Sequence, residues 1–157
     1  MTMSRSDKRS AARLAAVQAL YEMELSGKGV IDAVSEFEAH WMGRPIEGIE
    51  YTPAEEAFFR DLVSGVVQEQ RLVDQKVDAA LAKGWPLKRI EAVLRAIMRA
   101  GAYELLRRPD VPARVVITEY VDVAHAFYDG EEPGMVNAVL DSIGRETRAD
   151  ELSKRVS

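Results

Sequence analysis

The chain has 157 residues, 47% of them hydrophobic, which allows one domain of ordinary size with a core that needs no covalent staples. It contains no cysteine, so disulfides, thiolate metal ligands and cysteine nucleophiles are excluded, and a reducing cytoplasm suits it. Net charge is −5 but unevenly placed: residues 1–13 hold Arg5, Lys8, Arg9 and Arg13 against Asp7 alone, while the remainder carries 17 basic and 25 acidic side chains.

The opening residues, MTMSRSDKRS, lack the apolar core of a signal peptide, and no apolar run approaches the roughly 18 residues of a membrane span. A soluble chain is expected. A basic arm on an acidic body can place phosphate affinity at one end and suppress it elsewhere. Four basic residues near a terminus can equally be a solvated cluster.

The hydrophobic period is helical throughout. Residues 8–25, KRSAARLAAVQALYEMEL, are rich in strong helix formers and free of Gly and Pro, with Ser6 or Asp7 as the cap and Ser26-Gly27 as the stop. Ala12, Ala16, Ala19 and Met23 form an apolar stripe that Val17, Leu20 and Tyr21 widen, and Arg9 and Arg13, four apart, share a face. Tyr21 beside that stripe reads either as a buried ring with a satisfied hydroxyl or as a partner-facing one. Val30, Val34, Phe37 and Trp41 give a second, shorter helix, and GRPIEGIEY at 43–51 is loop-like.

Thr52-Pro53-Ala54-Glu55 reads as a capping box with proline at the first helical position. The helix it opens can run to Lys83-Gly84, and its apolar register slips near Gln68–Arg71, where it can break. Trp85-Pro86 opens the next segment, with Ile90, Val93, Leu94, Ile97, Gly101 and Leu105 on its buried face and Arg107-Arg108-Pro109 at its end. Pro112 starts another, lined by Val116, Tyr120, Val123 and Phe127 and closed by Tyr128-Asp129-Gly130. Met135, Val136, Val139, Leu140 and Ile143 mark the last helix, with fraying expected after Thr147. No strand pair or repeat is legible, so the fold class is all-α. One domain is expected, built of an N-terminal helical lobe at about 7–83, a C-terminal lobe at about 85–146 and a polar tail at 147–157.

Catalytic motifs are absent. There is no G-x-S-x-G, no P-loop lysine motif and no G-x-G-x-x-G after a strand. His40 and His125 are the only histidines; Asp122-x-x-His125 has the spacing of a bundle metal ligand pair, but such sites need that pair twice. Glu55-Glu56 and Glu131-Glu132 sit at helix beginnings, where the macrodipole favours them. No enzyme, metal or cofactor is expected.

Four segments in order resemble the NusB family of transcription antitermination factors. They are Arg9-x-x-x-Arg13 leading into Val17-Gln18-Ala19-Leu20-Tyr21; Phe59 through Val66; Arg95 through Glu119, with Ala102-Tyr103-Glu104-Leu105 and Asp110-Val111-Pro112 inside it; and Met135 through Asp141. Together they span the chain from Lys8 to about Ile143. The resemblance implies a fold of two packed three-helix bundles and a non-catalytic activity. Members pair with NusE, a small-subunit ribosomal protein, bind boxA RNA of nascent transcripts, notably ribosomal RNA leaders, and act on the transcription elongation complex. They exist as monomers or homodimers.

Carried over by position, Arg9 and Arg13 match arginines of the family's basic helix, and Arg5 and Lys8 extend it. Such side chains supply phosphate contacts, which set affinity and its salt dependence rather than sequence choice. Met135 stands where relatives often offer a phenylalanine to stack on a base, a departure from the pattern. Asn137 matches the motif's asparagine and either bonds an RNA edge or caps or locks its own helix; Glu131 falls on the loop before it. Ser10 and Ala11 replace a longer arginine run, thinning the basic patch. Tyr21 matches a tyrosine on the NusE side, and Leu94 stands where many relatives carry an acid, so it belongs either to the partner face or to the core. Arg99 and Glu104 match the motif and also suit an internal ion pair. Two other readings remain at this point: an RNA-recognition module like that of rRNA cytosine methyltransferases, and a purely protein-interacting helical module.

Overall fold

A computed structural model describes residues 5–41, 53–81 and 90–152 of the chain. All regular structure among them is helical: α1 (Arg5–Ser26), α2 (Val30–Trp41), α3 (Pro53–Gln68), α4 (Gln70–Ala80), α5 (Ala92–Arg107), α6 (Ala113–Phe127), α7 (Glu132–Thr147) and a short α8 (Ala149–Leu152). The all-α class is the expected one. Two compact units divide at Gln68–Glu69, earlier than the expected seam near Lys83–Pro86. The expected loop at 43–51, Thr52 and the Lys83–Pro86 break itself lie outside the described residues.

The first unit is a three-helix assembly of α1, α2 and α3. α1 begins at Arg5, so Ser6 and Asp7 lie inside the helix rather than capping it. Its end is where the sequence places it: Gly27 takes φ +76°, and its N–H donates to the Met23 carbonyl at 2.9 Å. That left-handed turn satisfies an orphan carbonyl and favours glycine. The alanine stripe of α1 lets the backbone approach α3 closely, and Ala12, Ala16, Val17 and Ala19 are fully buried beside Phe58, Leu62, Val63 and Val66. Phe37 of α2 stacks on Phe59 of α3 at 5.7 Å between centroids, and Arg60 bridges Glu56 (3.0 Å) and Glu38 across the same two helices.

The second unit holds α4 to α8, one long helix more than a three-helix lobe. The helix expected over residues 53–83 breaks at Glu69, within the register slip, and α4 then packs on α5 and α7. Asp74 of α4 accepts two hydrogen bonds from Arg99 of α5, at 2.7 and 3.0 Å, and Lys76 pairs with Glu146 of α7. Glu91 caps α5 by accepting from the Val93 N–H at 3.2 Å. Gly101 explains how closely α5, α6 and α7 meet: a Cβ there would lie 2.6 Å from Leu140 Cδ1 and 3.2 Å from Tyr120 Cδ2. Beside it the Tyr120 hydroxyl donates to the buried Glu104 carboxylate at 2.5 Å. Motif residues Arg99 and Glu104 thus serve internal contacts, Arg99 with Asp74 and Glu104 with Tyr120.

Of the stretch after Thr147, expected to fray, the described residues Arg148–Leu152 instead close this unit, and 153–157 lie outside the described residues. Arg148 is only 9% exposed and donates to the carbonyls of Leu105 (2.8 Å), Glu104 (3.2 Å), Arg108 (2.6 Å) and Val111 (3.0 Å). The carbonyls of Glu104 and Leu105 lie at the C-terminal end of α5, which attracts a cation, and that of Glu104 also accepts from the Arg108 N–H at 2.9 Å. Glu151 of α8 accepts from Arg148 at 2.7 Å and from the Ala113 N–H at the start of α6 at 2.8 Å. Arg148, at the end of α7, and Glu151 of α8 together therefore serve an outgoing and an incoming helix end.

Candidate nucleic-acid interface

The residues expected to meet RNA fall into two groups, one in each unit. In the first unit they lie at the N-terminal end of α1. Lys8 and Arg9 are half-buried at its surface, and Arg5 is the first residue of the helix, its side chain outside the described residues. Arg13 is different. It is 2% exposed, with its guanidinium carbon 5.0 Å from the centroid of the Phe58 ring. Arg9 lies over the same ring at 4.6 Å.

Physical chemistry accounts for this arrangement. Arg9 and Arg13 are one turn apart, so both reach the strip of α3 against which α1 packs. The negative face of a buried aromatic ring attracts a guanidinium by about 0.5–2 kcal/mol. Phe58 is buried and so is Glu55, one turn before it on α3. The same end of α1 carries the positive pole of the helix dipole, so Lys8 and Arg9 raise an already positive potential there. A bound anion offsets that repulsion, and exposed backbone N–H groups at a helix start favour it further.

In the second unit the expected residues lie at the start of α7. Glu131 is the exposed N-cap residue; its backbone is helical and its side chain makes no capping hydrogen bond. Met135 is half-buried one turn on and shares its face, with its N–H donating to the Glu131 carbonyl at 3.1 Å. Asn137 is exposed but two residues further along, so it points away from that face. It also lies inside α7 rather than at its cap, which removes the capping role open to it from sequence.

Of the two residues expected to meet a protein partner, Tyr21 is half-buried near the end of α1, between the two readings its sequence allowed. Leu94 is 5% exposed and packs within the second unit, which places it in the core. Asp122 and His125 are both exposed on α6, and no group of three metal-ligating side chains is found among the described residues. No helix among them is long and apolar enough to cross a membrane.

Sequence reasoning missed Phe58 as the aromatic partner of both arginines. The available signal was that Arg13 falls four residues before Val17 and one turn from Ala16, on the buried stripe itself. Arg148 had no such signal, because its partners lie some 40 residues away.

Residues 10–145 match the model of the NusB family. The transcription antitermination protein NusB of Bradyrhizobium diazoefficiens is 62% identical over 154 residues, covering 98% of this chain and 93% of that protein. The protein of the same name from Rhodopseudomonas palustris is 64% identical over 150 residues, covering 96% and 89% respectively. The structure of T. maritima NusB superposes with a TM-score of 0.77 at 24% identity, covering 98% of this chain and 99% of that one. A crystal structure of antitermination factors NusB and NusE in complex with double-stranded RNA matches with a TM-score of 0.74 at 24% identity, covering 92% and 99%. At that identity the two structures establish likeness of fold.

Proposed function

The chain belongs to the NusB family, and from that premise we propose that it is a transcription antitermination factor that binds boxA RNA of nascent transcripts together with NusE. The observation that carries this reading is its identity, above 60% across nearly the full length, with relatives named for transcription antitermination. It acts by binding rather than catalysis, in the cytoplasm, on the elongation complex. Because those relatives are matched over 93% and 89% of their own length, this reading is favoured over a module of an rRNA cytosine methyltransferase. A structure of the same fold that holds NusB and NusE with RNA adds support.

Lys8 and Arg9, with Arg5 one turn earlier, supply phosphate contacts from the start of α1, and these set affinity and its salt dependence. Met135 at the start of α7 offers a flexible thioether surface to a base, with Glu131 beside it on the same face. Asn137 reaches a different side of α7 and is positioned for an edge contact there. Tyr21 takes the NusE side, and Leu94 contributes to the core of its unit. A titration of boxA RNA against a scrambled strand of equal length, with and without NusE, tests the reading. Preference for boxA, strengthened by NusE and weakened steeply by salt, is expected. Equal binding of the two strands in the presence of NusE would overturn it.

A further inference from the structure

On the reading of this chain as a NusE partner, we infer that the turn joining α1 to α2 is a docking corner for NusE. Leu25 and Ile31 are its apolar anchors, and it takes a basic protein surface rather than RNA. Leu25 is 64% exposed and Ile31 78%, the two most exposed large apolar side chains among the described residues. They flank a single short turn, the first in the last turn of α1 and the second in the first turn of α2. Leu25 also lies one turn beyond the half-buried Tyr21, on the face of α1 turned away from its alanine stripe. A lone exposed apolar side chain is ordinary, whereas several joined at one corner mark a surface that another molecule covers. The backbone of the turn is open as well, since a Cβ built on Gly27 or Gly29 would meet nothing within 4 Å.

Charge at this corner sets the chemistry of the partner. Residues 22–36 carry Glu22, Glu24, Asp32 and Glu36 against Lys28 alone, and Lys28 is paired with Glu36. That bond, helped by the nearby charges of Glu22 and Asp32, holds the Lys28 ammonium above the usual lysine range, so acids of both helices converge on one turn. No basic residue stands in the last turn of α1, and the negative pole of the helix adds to these charges. A phosphate chain is repelled by such a surface, and a cationic protein surface is drawn to it. Lys8 and Leu25 are separated by about 25 Å along the helix axis, well beyond the roughly 8 Å screening length of physiological salt. The two ends of α1 therefore act independently, a basic end toward RNA and an acidic, apolar end toward protein.

Calorimetric titration of purified NusE into the full chain tests the corner. Three variants accompany the parent: Leu25→Ser with Ile31→Ser, Glu22→Lys with Asp32→Lys, and Val115→Ser. The last removes an apolar side chain exposed on α6 of the second unit. All the substituted side chains are exposed, so circular dichroism should show unchanged helix content. Loss of the two anchors is expected to weaken NusE binding at least about tenfold. Charge reversal should weaken it several-fold at low salt and flatten its salt dependence. Val115→Ser should bind NusE as the parent does. With labelled single-stranded boxA RNA and no NusE, the Leu25→Ser, Ile31→Ser protein should also match the parent.

Unchanged NusE affinity in that protein would overturn the inference, while the parent's own binding would keep the NusE reading standing. An equal loss toward RNA alone, or in Val115→Ser, would overturn it by showing that the corner has no special role in holding NusE. Charge reversal without effect on affinity or salt dependence would overturn the demand for a basic partner surface. If the parent itself failed to bind NusE, the reading would fall and the inference with it.

Discussion

Among the described residues, each unit of the molecule buries one arginine, and the two are used in opposite ways. Arg13, in the first unit, faces the π-surface of Phe58, in a helix pair closed by alanines. Arg148, in the second, directs its N–H groups at four backbone carbonyls and one carboxylate. An aromatic face accepts a cation with loose orientational demands, whereas a set of carbonyls fixes a planar guanidinium in one pose. The first arrangement suits a helix that presents charge at its surface, and the second suits a joint that must stay closed. A buried arginine is thus a different object in each unit: Arg13 stands within an alanine-rich apolar stretch, Arg148 within a polar one.

The largest expected effect tests the joint. Arg148→Met keeps most of the buried stem but removes the guanidinium donor from the carbonyls of Glu104, Leu105, Arg108 and Val111 and from the Glu151 carboxylate, which keeps its bond from the Ala113 N–H. Removing one member of a buried, hydrogen-bonded charge site costs about 3–5 kcal/mol. Chemical denaturation followed by circular dichroism should show that loss as a lower midpoint. Arg148→Lys should recover only part of it, because an ammonium cannot match the guanidinium fork. A loss below about 1 kcal/mol, the range of surface ion pairs, would mean that the carbonyl clamp does not distinguish the second unit from the first.

A smaller effect tests the ring. Phe58→Leu keeps an aliphatic core residue and removes the surface under Arg9 and Arg13. Loss of an aromatic–cation contact at a desolvated site, with some repacking, should lower stability by about 1–2 kcal/mol. The same denaturation experiment reads it. If Phe58→Leu proved neutral while Arg148→Met was costly, the packing of α1 on α3, rather than the π-face, would be what holds Arg13.

Both uses of arginine were unequally legible in sequence. The alanine stripe of α1, its Gly27 stop, the break near Gln68–Arg71 and the Pro112 start of α6 follow from periodicity and turn chemistry, which are local. The fate of Arg13 was half-legible: its position on the apolar stripe pointed inward, while its charge and its matching arginine at position 9 pointed outward. Assignment of α4 to the second unit was not legible, since it depends on packing against α5 and α7. Nor was the placement of Arg148–Leu152, because Arg148 and Glu151 carry no hydrophobic period and find their partners only once α5 and α6 are placed. Leu94 shows the limit of carrying a role over by position: its place in the core follows from its apolar side chain, whatever an acid does there in relatives.

The smallest expected effect sharpens the joint from its acidic side. The Ala113 N–H, and then the Arg148 guanidinium, hold the Glu151 carboxyl below the usual carboxylate range. A carboxyl lowered on folding adds stability when ionised, so its contribution is present above the unfolded value of about 4.3 and fades as pH falls through the folded value. Glu151→Gln should therefore be less stable than the parent near neutrality, by under about 1 kcal/mol because the side chain is 40% exposed and screened by solvent. The gap should narrow as pH drops below about 4 and the parent's carboxyl gains its proton. Denaturation midpoints of both proteins across that range measure it. A gap independent of pH would assign the whole effect of Glu151 to the shape of its hydrogen bond with Ala113. The charge at the joint would then belong to Arg148 alone, held by the carbonyls of Glu104, Leu105, Arg108 and Val111.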